Sequence, residues 1–558
     1  MKIALGQINA TVGDLKGNAV KIKSYIEKAK KERADIIAFP ELSITGYPPQ
    51  DLLLNSEFII QNKEMLSDLV EATEGILAII GFVDYDASQN LFNAAAVIKD
   101  KQLISIVHKT LLPTYDVFDE DRYFQSNEEA AIQPILIEHN GFSFNLGVEI
   151  CEDLWDQEYK IKVTDLLAER GSNLIINISA SPFYAGKVLV RLNLLKEKAL
   201  KTKIPLFYVN LVGGQDELVF DGQSFAVDSR GNLMALAKQF EEDLIYINLE
   251  IDRGTAKLVP FPPYEPEEEI FNALVLGIRD YFRKTGFEGG VVGMSGGIDS
   301  SLTTCLAVEA LGKDHVLGVS MPSRFSSDHS KSDAQILAEN LGIYFIQIPI
   351  QKIVDIFTIE TKAPLEKIRH FFKINKSDDD PIADENIQPR VRGNILMDIS
   401  NRLKKLRILV LNTGNKTELA LGYCTLYGDM SGGIGALGDV SKLEVYKLAH
   451  YYNNKRGQEM IPENVFTKKP SPELKENQFD PFDFDTISPL VDEIIENRRS
   501  KQELIDMGYL KEIVEDTIRR IKLSEYKRWQ ATPCIKITKK AFGIGWKMPI
   551  VNKYDDAS

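Results

Sequence analysis

The sequence predicts an α/β protein of two domains, an N-terminal sandwich layered α-β-β-α and a C-terminal doubly wound parallel sheet. Three observations carry that prediction. At 558 residues the chain is too long for one hydrophobic core. Its first half holds more strands than a doubly wound fold needs, several joined by short hairpin-like links, whereas its second half alternates strand and helix strictly. Between the halves, Val259-Pro260-Phe261-Pro262-Pro263-Tyr264-Glu265-Pro266 can continue neither a helix nor a central strand. Domains are therefore expected at 1–255 and 270–558, with 256–269 as the linker.

Short apolar runs place strands at 3–8, 36–39, 76–83, 94–98, 103–107, 144–150, 174–179, 206–212, 224–227 and 244–249. Residues 16–32 and 191–203 have helical spacing. Beyond the proline-rich break a helix is expected over 270–284. Strands at Val291-Val292, 316–320, 344–348 and 408–411 follow, separated by helical stretches, a pattern that puts ligands at the C-terminal ends of the strands. The acidic stretch 376–384 reads as a mobile loop.

The net charge of −15 is spread along the chain, which argues against nucleic acid or an anionic membrane as the main partner. No apolar window approaches a membrane span, and the N-terminus enters a strand without a signal-peptide core. Cys151, Cys305, Cys424 and Cys534 form no CxxC and no regular spacing. Neither a disulfide framework nor a zinc site is expected, and a reducing cytoplasm is the natural setting.

The second half is organised around Gly293-Met294-Ser295-Gly296-Gly297-Ile298-Asp299-Ser300-Ser301. It lies between a strand end and the helical run that starts at Leu302. Gly296 and Gly297 let a phosphate approach the backbone, and the following helix points its unpaired N–H groups at it. Asp299 is out of place in an anion nest unless a cation shares the site, and Mg²⁺ on a nucleotide supplies one. The plainer alternative is a Gly-Gly turn with Ser and Asp as helix caps. The full string is neither a Walker A loop nor a GxGxxG turn; it resembles the pyrophosphate loop of the N-type ATP pyrophosphatases, whose fold is of the adenine nucleotide alpha hydrolase type.

In the first half, three apolar runs end in reactive side chains. Glu41 follows Phe39-Pro40, Lys109 follows His108, and Cys151 follows Gly147-Val148-Glu149-Ile150. A thiolate is a nucleophile, a carboxylate can take its proton, and a lysine beside both lowers the thiol pKa and stabilises an oxyanion. Singly, each reads as a loop residue or, for Cys151, a small buried hydrophobe. Together they resemble the Glu-Lys-Cys triad of the nitrilase superfamily, amidases that form a thioester. That resemblance implies an acidic partner for the lysine, and Glu120 is the candidate. Alternation along the strand turns His108 away from Lys109, so it reads as structural.

A nitrilase-type amidase followed by this loop resembles the glutamine-dependent NAD synthetase family over nearly the whole chain. Further strings carry the likeness: Cys151-Glu152-Asp153-Leu154-Trp155, Asp384-Glu385-Asn386-Ile387-Gln388, Asn412-Thr413-Gly414-Asn415-Lys416-Thr417-Glu418, Gly438-Asp439-Val440-Ser441-Lys442, Lys468-Lys469-Pro470-Ser471-Pro472-Glu473-Leu474 and Glu525-Tyr526-Lys527-Arg528. The family implies L-glutamine contacts from Tyr115, Ser181 and Lys187. It implies ATP contacts from the loop at 293–300, Thr413 and Lys442, and deamido-NAD contacts from Asn386, Glu418 and Lys527. Asp299 and Glu418 would hold Mg²⁺. The position near Leu426 is apolar where ammonia-only relatives tend to carry a basic residue. The implied reaction releases ammonia from glutamine, adenylates the nicotinate carboxylate of deamido-NAD, and amidates it; an enclosed passage would keep the ammonia unprotonated. A homo-oligomer is implied as well. Another amidotransferase of the same loop family, or a non-catalytic nucleotide sensor, are the alternatives, and pyrophosphate release with and without deamido-NAD separates them.

Overall fold

Period-two alternation builds the first unit. In this computed structural model, which describes residues 1–139, 141–380, 382–476 and 478–554, the chain divides into Met1–Pro266 and Glu267–Ser558. The first unit contains β1 (Lys2–Gln7), β2 (Ile36–Ala38), β3 (Leu77–Tyr85), β4 (Leu91–Lys99), β5 (Gln102–His108), β6 (Ile135–His139) and β7 (Phe142–Ile150). These are followed by β8 (Leu174–Ser179), β9 (Leu206–Asn210), β10 (Val212–Gln215), β11 (Leu218–Asp221), β12 (Phe225–Val227), β13 (Leu233–Leu236) and β14 (Asp243–Asn248). Two six-stranded sheets result, ordered β14-β1-β2-β3-β4-β5 and β13-β12-β9-β8-β7-β6. Each has parallel pairs at its centre, β1/β2/β3 and β7/β8/β9, and antiparallel strands outside.

Ile3, Leu5, Leu77 and Ile79 of one sheet share a core with Val148, Ile150, Ile176 and Ile178 of the other. Their neighbours Ala4, Ala78 and Ile80 face the opposite way, onto α1 (Leu15–Lys31) and α2 (Ser56–Val70). Tyr208, Phe225 and Ile175 likewise pack with residues of α3 (Val163–Glu169) and α4 (Lys187–Thr202). The layering is α-β-β-α. Helix α1 shows why its sequence serves: Asp14 caps Gly17 N–H at 3.0 Å, and Leu15, Ala19, Ile22, Ile26 and Ala29 form its buried face.

Several expectations are corrected. The run 206–212 is two strands, because the chain leaves the sheet at Leu211 to pair β10 with β11. The helix expected from Arg191 starts at Lys187, directly after Gly186 at φ +80°. Strands β6, β11 and β13 carry no sequence signal strong enough to mark them. Of the segment read as linker, Val259 and Phe261 pack on the α4-side core, and Val259 N–H donates to Leu233 O.

In the second unit, α5 (Pro266–Thr285) precedes β15 (Gly289–Gly293), α6 (Ile298–Leu311), β16 (Val316–Ser320), α7 (Asp328–Leu341) and β17 (Tyr344–Gln347). Then come α8 (Gln351–Phe372), α9 (Ile382–Glu385), α10 (Ile387–Arg402), β18 (Ile408–Asn412), α11 (Lys416–Leu421), β19 (Ile434–Gly435) and α12 (Lys442–Arg456). All five strands are parallel, in the order β17-β16-β15-β18-β19. The order reverses between β15 and β18, so the loops leaving these two strands flank a crevice where such sheets bind ligands. The stretch 376–384 is not a plain loop. Asn375 and Asp378 cap each other's backbone, and Asp380 Oδ1 accepts from Ile382 N–H at 3.0 Å to open α9; Pro381 lies outside the described residues.

Candidate functional site

Each strand end in the first unit delivers one reactive side chain. Glu41 sits on the turn after β2, which packs so closely on β3 that a Cβ on Gly81 would lie 2.4 Å from Pro40 O. Lys109 follows β5, and Cys151 follows β7 in the left-handed region at φ +45°. A non-glycine residue held there is strained and persists only where its surroundings impose it. Asp153 imposes it: Oδ2 accepts from Ile150 N–H at 3.0 Å, while Oδ1 accepts from Thr110 and Leu111 N–H at 3.0 and 2.8 Å. One carboxylate thus ties the cysteine turn to the lysine strand end. Asn177 Nδ2 holds the carbonyl of Cys151 from β8 at 3.4 Å.

Lys109 is buried between two acids. Its Nζ lies 2.7 Å from Glu41 Oε1 and 2.8 Å from both oxygens of Glu120. Asn93 Nδ2 bridges the same carboxylates, Ala180 N–H donates to Glu41 Oε2 at 2.9 Å, and Tyr47 OH donates to Glu120 at 2.8 Å. Burial opposes the ammonium, but Glu120 and Glu41 outweigh it and hold Lys109 well above the usual lysine value. The Cys151 thiol corrects an expectation. Burial raises its pKa well above the ordinary thiol value, Glu41 raises it further, and Lys109 opposes both. Glu41 and Glu120 already share the lysine, so its pull on the thiol does not outweigh burial. His108 faces elsewhere, with Nε2 2.9 Å from Asp84 and its ring stacked on Phe92.

In the second unit, α6 begins directly on the glycine loop, and among the described residues no side chain caps it. Its first N–H groups are left for an anion. Asp299 is not a cap. Its carboxylate accepts from Asn415 Nδ2 at 2.9 Å and Lys442 Nζ at 2.5 Å, and Lys442 lies 3.7 Å from Glu418. Burial and then Asp299 push the Glu418 carboxyl up to about 8, against Lys442. A cavity of about 320 Å³ opens over the loop, lined also by Thr413, Tyr423, Asp429 and Lys468.

Comparison with known proteins gives the same division. The carbon-nitrogen hydrolase family matches residues 2–260 and the NAD synthase family residues 270–531. Glutamine-dependent NAD(+) synthetases from Synechocystis and Thermotoga maritima are 43% and 40% identical, over 99% and 100% of this chain and 99% of each relative. The chain belongs to the glutamine-dependent NAD(+) synthetase family. A solved synthetase of that family from Acinetobacter baumannii, in complex with adenosine diphosphate, is 37% identical, with a TM-score of 0.77 over 99% of this chain and 98% of that one.

As a member of the NAD(+) synthetase family, the chain gathers some of its expected contact residues and not others. Tyr115 OH donates to both oxygens of Glu152 at 3.1 Å, joined by Tyr159 OH at 3.1 Å. Lys187 Nζ donates to Pro182 O at 2.8 Å, beside the rings of Tyr184 and Trp155, and its charge acts on Glu152. Ser181 N–H donates to Asn210 Oδ1 at 3.0 Å, next to the Ala180 that holds Glu41. Glu152 and Tyr159, which join Tyr115 here, carry no sequence signal of their own beyond the adjacency of Glu152 to Cys151. Gly293, Met294, Ser295, Gly297, Ile298, Asp299, Ser300, Thr413, Glu418 and Lys442 line the cavity over the loop. Gly296 instead packs against Ser330 O, and neither Asn386 nor Lys527 lines the cavity. Asn386 Oδ1 accepts from Thr425 Oγ1 at 2.7 Å, and Lys527 Nζ donates to Gly422 O and Cys424 O at 2.8 and 2.7 Å. Arg390 Nε donates to Leu426 O at 3.3 Å, so a guanidinium reaches the position where a basic residue was missing.

Lys109→Ala strips two buried carboxylates of their counter-charge. It is expected to cut kcat for glutamine hydrolysis by about 10³ or more, with little change in glutamine affinity, and to cost about 3–5 kcal/mol of stability. Steady-state kinetics and denaturant unfolding check both, and an affinity loss at unchanged kcat would remove Lys109 from the chemistry.

Proposed function

We propose that the chain makes NAD from deamido-NAD, ATP and L-glutamine, releasing AMP, pyrophosphate and glutamate, with the two half-reactions assigned to residues as follows. In the first unit, Glu41 takes the Cys151 proton as the sulfur attacks the glutamine amide carbon. Lys109, kept charged by Glu120, stabilises the oxyanion, ammonia leaves with the proton, and water releases glutamate from the thioester. Glu152, with its two tyrosine donors, suits the α-ammonium of glutamine, and Lys187 suits its α-carboxylate.

In the second unit, the loop at 293–300, Thr413 and Lys442 hold ATP, and the nicotinate carboxylate attacks the α-phosphate. Glu418, Asn386 and Lys527 serve deamido-NAD, the last two through the 422–425 segment they hold. The donor set fits Mg²⁺: Asp299 and Glu418 share a single ammonium and strain against each other. Among the described residues no cluster of three or more His, Cys, Asp or Glu forms a complete cage, so phosphates and water would complete the shell. Bound there, the ion would neutralise charge on the departing pyrophosphate.

The observation that carries this reading is one chain holding both a Cys-Glu-Lys cluster and an uncapped glycine-loop helix with Asp299 turned to Lys442. Deamido-NAD is expected to trigger pyrophosphate release from ATP in the presence of ammonium, whereas nicotinate alone does not. Equal release without deamido-NAD would sink the substrate assignment.

We place the chain in the cytoplasm as a homo-oligomer. Support for the latter is α8, whose Ile353, Ile356, Phe357, Ile368 and Phe371 are exposed along one stripe at helical spacing. The sedimentation mass of the full chain tests it. No helix of the described residues is long and apolar enough to cross a membrane.

A further inference from the structure

The segment 468–473 borders the same cavity as the glycine loop, and two of its side chains converge on the first turn of α7. Lys468 Nζ donates to Gly296 O and, at 3.1 Å, to Ser330 Oγ. Glu473 Oε1 accepts from the same Ser330 Oγ at 2.8 Å and from Ser327 Oγ at 2.9 Å, and Oε2 accepts from Ser327 N–H at 3.3 Å. Ser330 is also the residue on which the loop rests: at φ +77°, a Cβ on Gly296 would lie 2.1 Å from Ser330 O.

Behind this junction lies Asp333, 1% exposed. Among the described residues neither of its carboxylate oxygens has a hydrogen-bond partner, and its ion-pair contact is Lys468 Nζ at 3.6 Å. A buried carboxylate in that state is costly unless it serves to hold a cation in place.

We propose that Lys468 is a positioning residue for ATP, clamping the Gly296 carbonyl so that the phosphate loop keeps its N–H groups turned into the cavity, with Asp333 holding the ammonium from behind. The geometry of the peptide unit makes the link. In a trans peptide the carbonyl and the following N–H point in opposite directions. A cation fixed on Gly296 O therefore fixes Gly297 N–H facing inward, where it now donates to Ser295 Oγ at 3.2 Å. Without the clamp the two glycines are free to rotate that peptide and present a carbonyl to the phosphates. The inference rests on the assignment of the loop at 293–300 to the phosphates of ATP.

The test is steady-state kinetics of the full chain, with ATP varied at saturating deamido-NAD and ammonium. Lys468→Met combined with Asp333→Asn removes both charges and leaves neither buried alone. This pair is expected to raise the KM for ATP about tenfold while kcat stays within about twofold, since a loop set for binding acts on ground and transition states alike. Glutamine hydrolysis stays unchanged. An unchanged KM for ATP overturns the proposal, as does a loss confined to kcat, which would put Lys468 on the reacting phosphates. Gly296→Ala separates the two layers of the argument. If it raises the KM and the charge pair does not, the clamp alone is wrong; if neither does, the loop is not the phosphate site.

Discussion

Cys151→Ala is expected to abolish NAD formation from glutamine, by about 10³-fold or more, and to leave formation from ammonium salt intact. Cys151 is the one cysteine in the sequence of the first unit, so no thioester forms there without it. The substitution is mild structurally. It removes one buried sulfur at φ +45°, a conformation alanine adopts no worse than cysteine, while Asp153 and Asn177 still hold the turn through its backbone neighbours and carbonyl. The glycine loop belongs to the other unit, beyond Pro266. Ammonium rescue should strengthen as pH rises, because the neutral fraction that can attack the adenylate rises with it. The measurement is NAD formed from deamido-NAD and ATP with either nitrogen source at two pH values. Retained synthesis from glutamine would overturn the nucleophile, and loss of both activities in a folded protein would show that the units cannot work apart.

Asp299→Ala should fail the other way. Deamido-NAD-dependent pyrophosphate release falls by about 10³, and glutamine hydrolysis persists. The carboxylate is tied to Lys442 and Asn415 across the crevice, and its removal leaves Lys442 with Glu418 alone as its ion-pair partner among the described residues. Asp299→Asn sharpens the test. Asparagine caps helices as well as aspartate and keeps a partner for Asn415, but it neither neutralises Lys442 nor offers a divalent ion a charged oxygen. An Asn variant with normal turnover would falsify the metal role and return Asp299 to a structural one.

The reactive residues were legible in the sequence because each sits at the end of an apolar run, where alternation and strand length fix its place. Glu41, Lys109 and Cys151 follow β2, β5 and β7; the glycine loop follows β15. The layering of the first unit could be read from period-two patterns for the same reason. Weakly patterned elements could not: β6 and β13 are short antiparallel strands outside the parallel cores, and the break at Leu211 depends on pairing between β10 and β11.

By itself, then, the sequence put Glu41, Lys109, Cys151 and the glycine loop at strand ends, since these positions depend on local periodicity, while their grouping as a set came from the family resemblance. Only the tertiary structure decided what those groups do to one another. Burial and Glu41 raise the Cys151 thiol against the pull of Lys109, a lysine that two acids already share. The fold set Glu152 against two tyrosines, left Asn386 and Lys527 out of the cavity lining, and brought Lys468 to the loop from 172 residues away. Such contacts join residues far apart in the chain, and desolvation is a property of the packed interior, so neither leaves a periodic trace in the order of the amino acids.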